Sequence, residues 1–340
     1  MIEDCFVRSI PLQYEEERTQ LKAFLIAQGL SFEADIDTAF GVFDEDDQLV
    51  GCGCAAGALL KCFALTEARR GQNILGPLVS ALVQDRFSRC LFDLFVITRT
   101  TNVPLFTACG FYCIAETPDI AMLANRPDGP EAFAKPFWQA GDENRILGAV
   151  VMNGNPFTLG HRYLIEQAAR QCDALHVFVV EEDRSAFPTR DRLTLVEAGT
   201  ADLPNVRVHP SGRYMISAAT FPTYFLKENE DAARLQSQLD AAIFATRVAP
   251  ALHITKRFVG AEPFDPVTEQ YNQALAAALP PQGIELVEIP RLELNGAPVS
   301  ASRVRAILQE KGFCQEVLEL VPKATRRYLQ EKFGGQHGNR

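Results

Sequence analysis

No stretch of this 340-residue sequence stays apolar for the ~18 residues that a membrane-spanning helix needs, so no membrane association is expected. The start is acidic and polar by Glu3-Asp4, which does not read as a secretory leader. Cysteine pairing is also lacking. Nine cysteines (Cys5, Cys52, Cys54, Cys62, Cys90, Cys109, Cys113, Cys172 and Cys314) include no Cys-x-x-Cys, and no second pair completes Cys52-x-Cys54 as a zinc site. An odd count without a leader reads as reduced thiols in a cytoplasmic protein, most of them small buried residues. Repeats and low-complexity tracts are absent. Positive charge is scarce: 33 Lys and Arg stand against 43 Asp and Glu, a formal net charge of −10. That balance excludes a protein whose affinity rests on nucleic-acid phosphates, yet a few arginines still suffice for a nucleotide pocket.

What is present can fold. Hydrophobic residues make up 47% of the chain, and its length suits two domains of ordinary size. The segment Asn125-Arg126-Pro127-Asp128-Gly129-Pro130 punctuates it and marks a boundary. Residues 1–125 are read as a first domain, 126–144 as a linker and 145–340 as a second domain. In the first, Gln20–Gln28 and Arg70–Phe87 read as helices, and Thr38–Phe43, Gln48–Cys54, Leu59–Ala64 and Leu91–Ile97 as strands. In the second, strands and helices alternate. Ile146–Met152 is a continuous apolar strand, as in a sheet buried on both faces. Helix Gly160–Gln171, strand Ala174–Val180 and a helix over Asp191–Ala198 follow. Further strands fit Val206–Val208, His253–Val259 and Ile284–Ile289. Helices fit Glu230–Ala245, Val267–Ala278, Ser302–Gln309 and Lys323–Lys332. The alternation predicts a doubly wound parallel sheet from about residue 145.

The chemistry concentrates at one strand-to-helix junction, Asn153-Gly154-Asn155-Pro156-Phe157-Thr158-Leu159-Gly160-His161. Open α/β sheets bind ligands at such loops. The following helix start offers unpaired N–H groups and a positive dipole end, both suited to phosphate. Gly160 permits close approach of a backbone. Thr158 and His161, three apart, fall on one side of the first turn and suit the stabilisation of charge on an α-phosphate. A second motif, Val299-Ser300-Ala301-Ser302-Arg303-Val304-Arg305, starts another helix with hydroxyls and arginines suited to the β and γ phosphates. Arg303 and Arg305 do not easily share one face, so Arg305 is favoured. Phe258-Val259-Gly260-Ala261-Glu262 leaves a strand, with Gly260 allowing contact to a base or ribose. Arg192 opens its helix and faces either the nucleotide or solvent.

These motifs together resemble the nucleotidyltransferase superfamily, whose members carry His- or Thr-x-Gly-His early and Ile-Ser-Ser/Thr-x-x-Arg late. The stretch Met152–Leu164 is similar to one family, the citrate lyase ligases. So are Asp202-Leu203-Pro204-Asn205-Val206, Phe221-Pro222-Thr223-Tyr224-Phe225-Leu226-Lys227 and Arg257–Phe264. The resemblance implies that acetate attacks ATP to give acetyl-adenylate and pyrophosphate. The thiol of the prosthetic group on the citrate lyase acyl-carrier (gamma) subunit then takes the acetyl group. It further implies Thr158 and His161 at the α-phosphate, Ser300, Ser302 and Arg305 at the other phosphates, and Mg2+ screening the triphosphate; Asn153, Asn155, Pro156, Phe157, Gly160, Arg192, Gly260 and Glu262 are expected as further ATP contacts. Val299 and Ala301 depart from the family's Ile and Ser. In the first domain, Arg70-Gly71 before an apolar helix and Asn102…Leu105–Tyr112 after a strand resemble a GNAT-type acetyltransferase fold. Asn73 and Leu75 stand where that fold's CoA-binding loop has small residues. This argues against acetyl-CoA turnover and for recognition of the carrier's CoA-like arm, or a scaffold. The competing readings are a cofactor-precursor adenylyltransferase resembling phosphopantetheine adenylyltransferase and a non-catalytic nucleotide or CoA sensor. A tRNA synthetase is disfavoured by the acidic charge and by the lack of a Lys-Met-Ser-Lys-Ser-like loop.

Overall fold

The computed structural model describes residues 5–181, 185–216, 220–227, 230–261 and 266–333. They form two compact units, residues 1–129 with 221–235, and residues 130–220 with 236–340.

The first unit is a mixed sheet. Strands β1 (Cys5–Ile10), β2 (Thr38–Asp44), β3 (Leu49–Ala56), β4 (Leu59–Leu65), β5 (Phe95–Arg99), β6 (Tyr112–Glu116) and β7 (Ile120–Ala124) stand in the order β1-β2-β3-β4-β5-β7-β6. All neighbours are antiparallel except β4 and β5. Helices α1 (Glu15–Ala27), α2 (Leu75–Ser88) and α3 (Val103–Ala108) accompany it. This is the GNAT-like α/β fold expected of this half. Leu21 and Leu25 of α1 pack with Ile10, Phe43 and Cys54, and Tyr224 of the returning segment joins them. The helix expected from Arg70 starts only at Leu75, because Gly71 and Asn73 take left-handed backbone angles (φ +84° and +55°) that no helix continues. The cysteines divide more evenly than expected. Cys52, Cys54 and Cys62 are buried, while Cys90 and Cys113 are exposed, one in the turn after α2 and the other on edge strand β6.

The second unit opens with α4 (Gly129–Ala134) and short helical turns. Asp142, wholly buried within the stretch read as a linker, takes a two-bond ion pair from Arg207 (2.6 and 3.0 Å). The sheet has five strands, β8 (Leu147–Met152), β9 (Ala174–Val179), β10 (Val206–Pro210), β11 (Ile254–Gly260) and β12 (Glu285–Ile289). Their order is β10-β9-β8-β11-β12, with every pair parallel. Helices α5 (Leu159–Ala169) and α6 (Thr189–Thr200) link the first three strands. They cover one face, where Val150, Met152 and Phe258 pack with Ile165, Ala168, Leu195 and Val196. Residues one step along, Val151 and Arg257, point to the opposite face. There α7 (Ala232–Ile243) runs through a π-helical turn (Phe244–Val248) into α8 (Ala249–Ala251), and α9 (Pro266–Ala278) lies between β11 and β12. Phe244 of the π turn lies against Arg257. Helices on both faces make this a Rossmann-like doubly wound domain. The chain ends in a hairpin of β13 (Glu293–Leu294) and β14 (Ala297–Pro298), then α10 (Ala301–Lys311), α11 (Gln315–Leu320) and α12 (Lys323–Phe333).

The winding direction reverses between β8 and β11. Parallel sheets open a crevice beyond the carboxyl ends of the strands at that point. Here those ends are Met152-Asn153 and Gly260-Ala261. Among the described residues, no helix is long and apolar enough to cross a membrane.

Candidate functional site

The crevice is a cleft of about 760 Å³ at the switch point. Its walls come from the β8–α5 loop, the end of β11, the first turns of α9, the segment after β12 and the start of α10. Four arginines line it, Arg257, Arg291, Arg303 and Arg305. No carboxylate is among its described lining residues. In a chain of net charge −10 this local balance singles the cleft out as an anion site.

The loop is held by its own side chains. Gly154 takes φ +59°, and the Asn155–Pro156 peptide is cis. Phe157 is buried in the core beneath the loop, and its carbonyl accepts a 2.9 Å bond from the Thr325 hydroxyl. Arg192 is fully buried. It donates to the Asn153 carbonyl (2.6 Å), the Asn153 side chain (2.8 Å), the Phe187 carbonyl (3.0 Å) and Thr189 (2.8 Å). Arg192, for which the sequence left facing the nucleotide and facing solvent equally open, is buried beneath the loop and bonded to it.

Thr158 and His161 meet each other. Thr158 is the N-cap of α5, and its hydroxyl accepts the His161 backbone N–H (3.3 Å). The Thr158 backbone N–H donates to His161 Nδ1 (3.1 Å), and the hydroxyl lies 2.9 Å from the same nitrogen. A backbone N–H only donates, so Nδ1 is an acceptor and the neutral ring carries its proton on Nε2. Burial, then the charges of Arg291 and Arg305, push the imidazole down to about 4. Near neutral pH the cleft thus holds an uncharged N–H donor. Thr158 itself is wholly buried and its hydroxyl is spent on the cap, so it positions the imidazole and does not line the cleft.

Gly160 joins the two motifs. A Cβ at this position would stand 2.2 Å from the Val299 carbonyl oxygen. The close backbone approach expected of this glycine is therefore to the chain itself. It seats the start of α5 against the residue before Ser300. Ser300 caps α10 by accepting the Arg303 N–H (3.2 Å). Arg305 donates to the Asn155 carbonyl (2.5 Å) and to Ser302 Oγ (3.1 Å), tying the motifs a second time. Both Arg303 and Arg305 line the cleft, although the sequence favoured Arg305 alone. Arg303 bends back toward the Leu294 and Ala297 carbonyls. A Cβ on Gly260 would meet nothing within 4 Å, so this position opens on the cleft.

The structure thus gathers Asn153, Asn155, Gly160, His161, Gly260, Ser300, Ser302 and Arg305 around one cleft. Thr158, Phe157 and Arg192 sit behind it, and Pro156 is not among its lining residues. Glu262 lies outside the described residues. Sequence reasoning missed Arg257, Arg291, Tyr271 and Asn272 as cleft residues. An arginine inside the apolar run of β11 was the one available signal.

Residues 147–329 match the family described as the citrate lyase ligase C-terminal domain. Citrate (pro-3S)-lyase ligase of Klebsiella pneumoniae is 41% identical over 331 residues, covering 96% of this chain and 96% of that relative. The protein of the same name from Escherichia coli strain K12 is 40% identical over 335 residues, covering 96% and 94%. Phosphopantetheine adenylyltransferase of Staphylococcus carnosus is 39% identical over only 57 residues, covering 16% of this chain and 35% of that protein. Near-complete coverage of both partners in the first two comparisons is decisive: the chain belongs to the citrate lyase ligase family.

Proposed function

We propose that this chain uses ATP to activate acetate and passes the acetyl group to the prosthetic-group thiol of the citrate lyase acyl-carrier subunit. An acetate oxygen attacks the α-phosphorus. The bond from that phosphorus to the oxygen bridging toward the β-phosphate breaks, and pyrophosphate leaves with the bond's electrons. The thiolate then attacks the acetyl carbonyl carbon, the bond from that carbon to the phosphate oxygen breaks, and AMP leaves with its electrons, giving a thioester.

The observation that carries this reading is the neutral His161 N–H at the start of α5, in a cleft of four arginines without a described carboxylate. A neutral donor suits the α-phosphate, where charge builds on the non-bridging oxygens of a five-coordinate phosphorus. The start of α5 adds its own N–H groups. In this reading Arg305, with Ser300 and Ser302, holds the β and γ phosphates and stabilises their charge as pyrophosphate departs. Gly260 offers the open ground for ribose or base. A cofactor-precursor adenylyltransferase would share the phosphorus chemistry, but the likeness to such an enzyme spans a short segment only.

Among the described residues no group of three or more His, Cys, Asp or Glu lies together as a cation site. Mg2+ prefers carboxylate and phosphate oxygens. The described cleft residues do not build a cage for it, so the cation would come with the triphosphate, and no step above depends on it.

The test is exchange of labelled pyrophosphate into ATP. Exchange should require acetate. Exchange that proceeds equally without acetate, or none with it, would refute the reading.

A further inference from the structure

A second, smaller pocket of about 170 Å³ opens beside the nucleotide cleft. It is lined mainly by Val151, Met152, Val180, Met215 and Ile216, with Asp240 and Tyr271 among its polar residues. It shares Val151, Asn153 and Tyr271 with the large cleft, so the two adjoin. Five of the small pocket's eight described lining residues are Val, Met or Ile. At roughly 30 Å³ per water molecule, its space suits a molecule of a few heavy atoms and not a long acyl chain.

Arg257 stands beside it. This residue is 1% exposed and lines the large cleft. Its guanidinium lies over the Phe244 ring, 4.7 Å from the centroid. Its charge reaches both Asp240 and Tyr271, polar residues of the small pocket, and Tyr271 is within hydrogen-bonding range of it. Yet its Nε and Nη1 have no hydrogen-bond partner. The nearby carboxylate is already committed: Asp240 accepts the Ile216 N–H (2.6 Å) and the Tyr271 hydroxyl (2.6 Å). A buried guanidinium with two idle donors is costly, and native proteins seldom leave one without a ligand in view. A charged donor of this kind suits one chemical group best, the oxygen of a carboxylate.

We infer that Arg257 and this pocket form the subsite for the acid substrate, with Arg257 holding the carboxylate at the mouth and Val151, Met215 and Ile216 enclosing the short alkyl group. The assignment rests on the acid-activating reading above. The geometry explains how the substrate is chosen. An acid too long for the pocket cannot bring its carboxylate back to Arg257, so it is not presented to the α-phosphate. One without an alkyl group leaves the apolar walls unfilled.

The test follows acid-dependent exchange of pyrophosphate into ATP, with acetate and propionate as probes, in the wild type and in Arg257→Lys, Arg257→Ala and Ile216→Ala. Arg257→Ala should raise the KM for acetate by about thirtyfold or more while changing the KM for ATP less than about threefold, the range expected on losing a hydrogen bond to a charged group. Arg257→Lys should recover part of the loss. Ile216→Ala should raise the propionate-to-acetate ratio of kcat/KM by about tenfold, the usual value of one methylene in an apolar pocket. This variant keeps the assignment testable if Arg257→Ala fails to fold, which its thermal unfolding would reveal. Equal rises in both KM values would make Arg257 a nucleotide ligand and overturn the subsite. An unchanged acid preference in Ile216→Ala would overturn the pocket. A wild type that exchanges without any acid refutes the underlying reaction instead, so the two failures are distinct.

Discussion

A single imidazole shows how much of the chemistry is set by hydrogen bonds that leave no trace in composition. His161 was legible from the sequence as a residue facing phosphate. Its protonation state was not, because that depends on a backbone N–H donating to Nδ1 and on the charges of Arg291 and Arg305. The ring is held neutral to about pH 4, whereas an unfolded histidine titrates near 6.5. Between those values the unfolded chain binds more protons. The stability His161 contributes is therefore present above pH 6.5 and is lost as pH falls toward 4. Adenylation at saturating substrates should stay level from pH 7 to about pH 5 and fall only as pH approaches 4. A fall centred near pH 6.5 would mean that the ring is not shielded. His161→Ala should slow adenylation by about a hundredfold or more with the fold intact; near-wild-type exchange would remove the residue from the mechanism. Arg192 acts differently. It is buried beneath the loop with four bonds to the chain, so Arg192→Ala should cost about 2–4 kcal/mol in denaturant unfolding, chiefly through the Asn153 acceptors it abandons. A stability within 0.5 kcal/mol of wild type, with a raised KM for ATP, would return Arg192 to the nucleotide site.

Among the elements, the long apolar strands and stripe-patterned helices of the second unit were the most legible. The strand expected over Ile146–Met152 is β8 at Leu147–Met152, and α12 and α9 differ from their expected spans by a residue. A sheet buried on both faces writes itself as continuous apolar runs, which local patterning detects. The first unit hid more. β1, Cys-Phe-Val-Arg-Ser-Ile, is one-third polar and half exposed, and β7, Ile-Ala-Met-Leu-Ala, is rich in helix formers. Only their neighbours in the sheet make them strands. The two chemical motifs were each readable as capped helix starts, but not their contact. That contact depends on Gly160 lying under the Val299 carbonyl, between elements 139 positions apart in the chain (299 − 160). Gly160→Ala should force the two helix starts apart. It should cost about 1–3 kcal/mol of stability and weaken ATP binding. Unfolding and nucleotide titration of this variant check both, and an unchanged protein would show that the junction has slack.

At the scale of the molecule, an acidic chain concentrates positive charge in one cleft. Overall charge kept nucleic acid out of the sequence reading, yet it concealed the cleft. Arg257 and Arg291 come from β11 and from the segment after β12, outside either motif, and the fold sets them beside Arg305. Attraction between partly exposed charges weakens with salt. The KM for ATP should therefore rise about threefold or more between 0.05 and 0.2 M salt, with kcat little changed; a flat KM would mean that Arg305 does not meet the triphosphate. The central claim is that a carboxylate oxygen attacks the α-phosphorus in this cleft. Turnover with acetate labelled by 18O in both carboxyl oxygens, in the presence of ATP and the acyl-carrier thiol, tests it directly. Mass spectrometry of the products should find one 18O in AMP and none in pyrophosphate. Unlabelled AMP from turnover that forms the thioester would contradict the account.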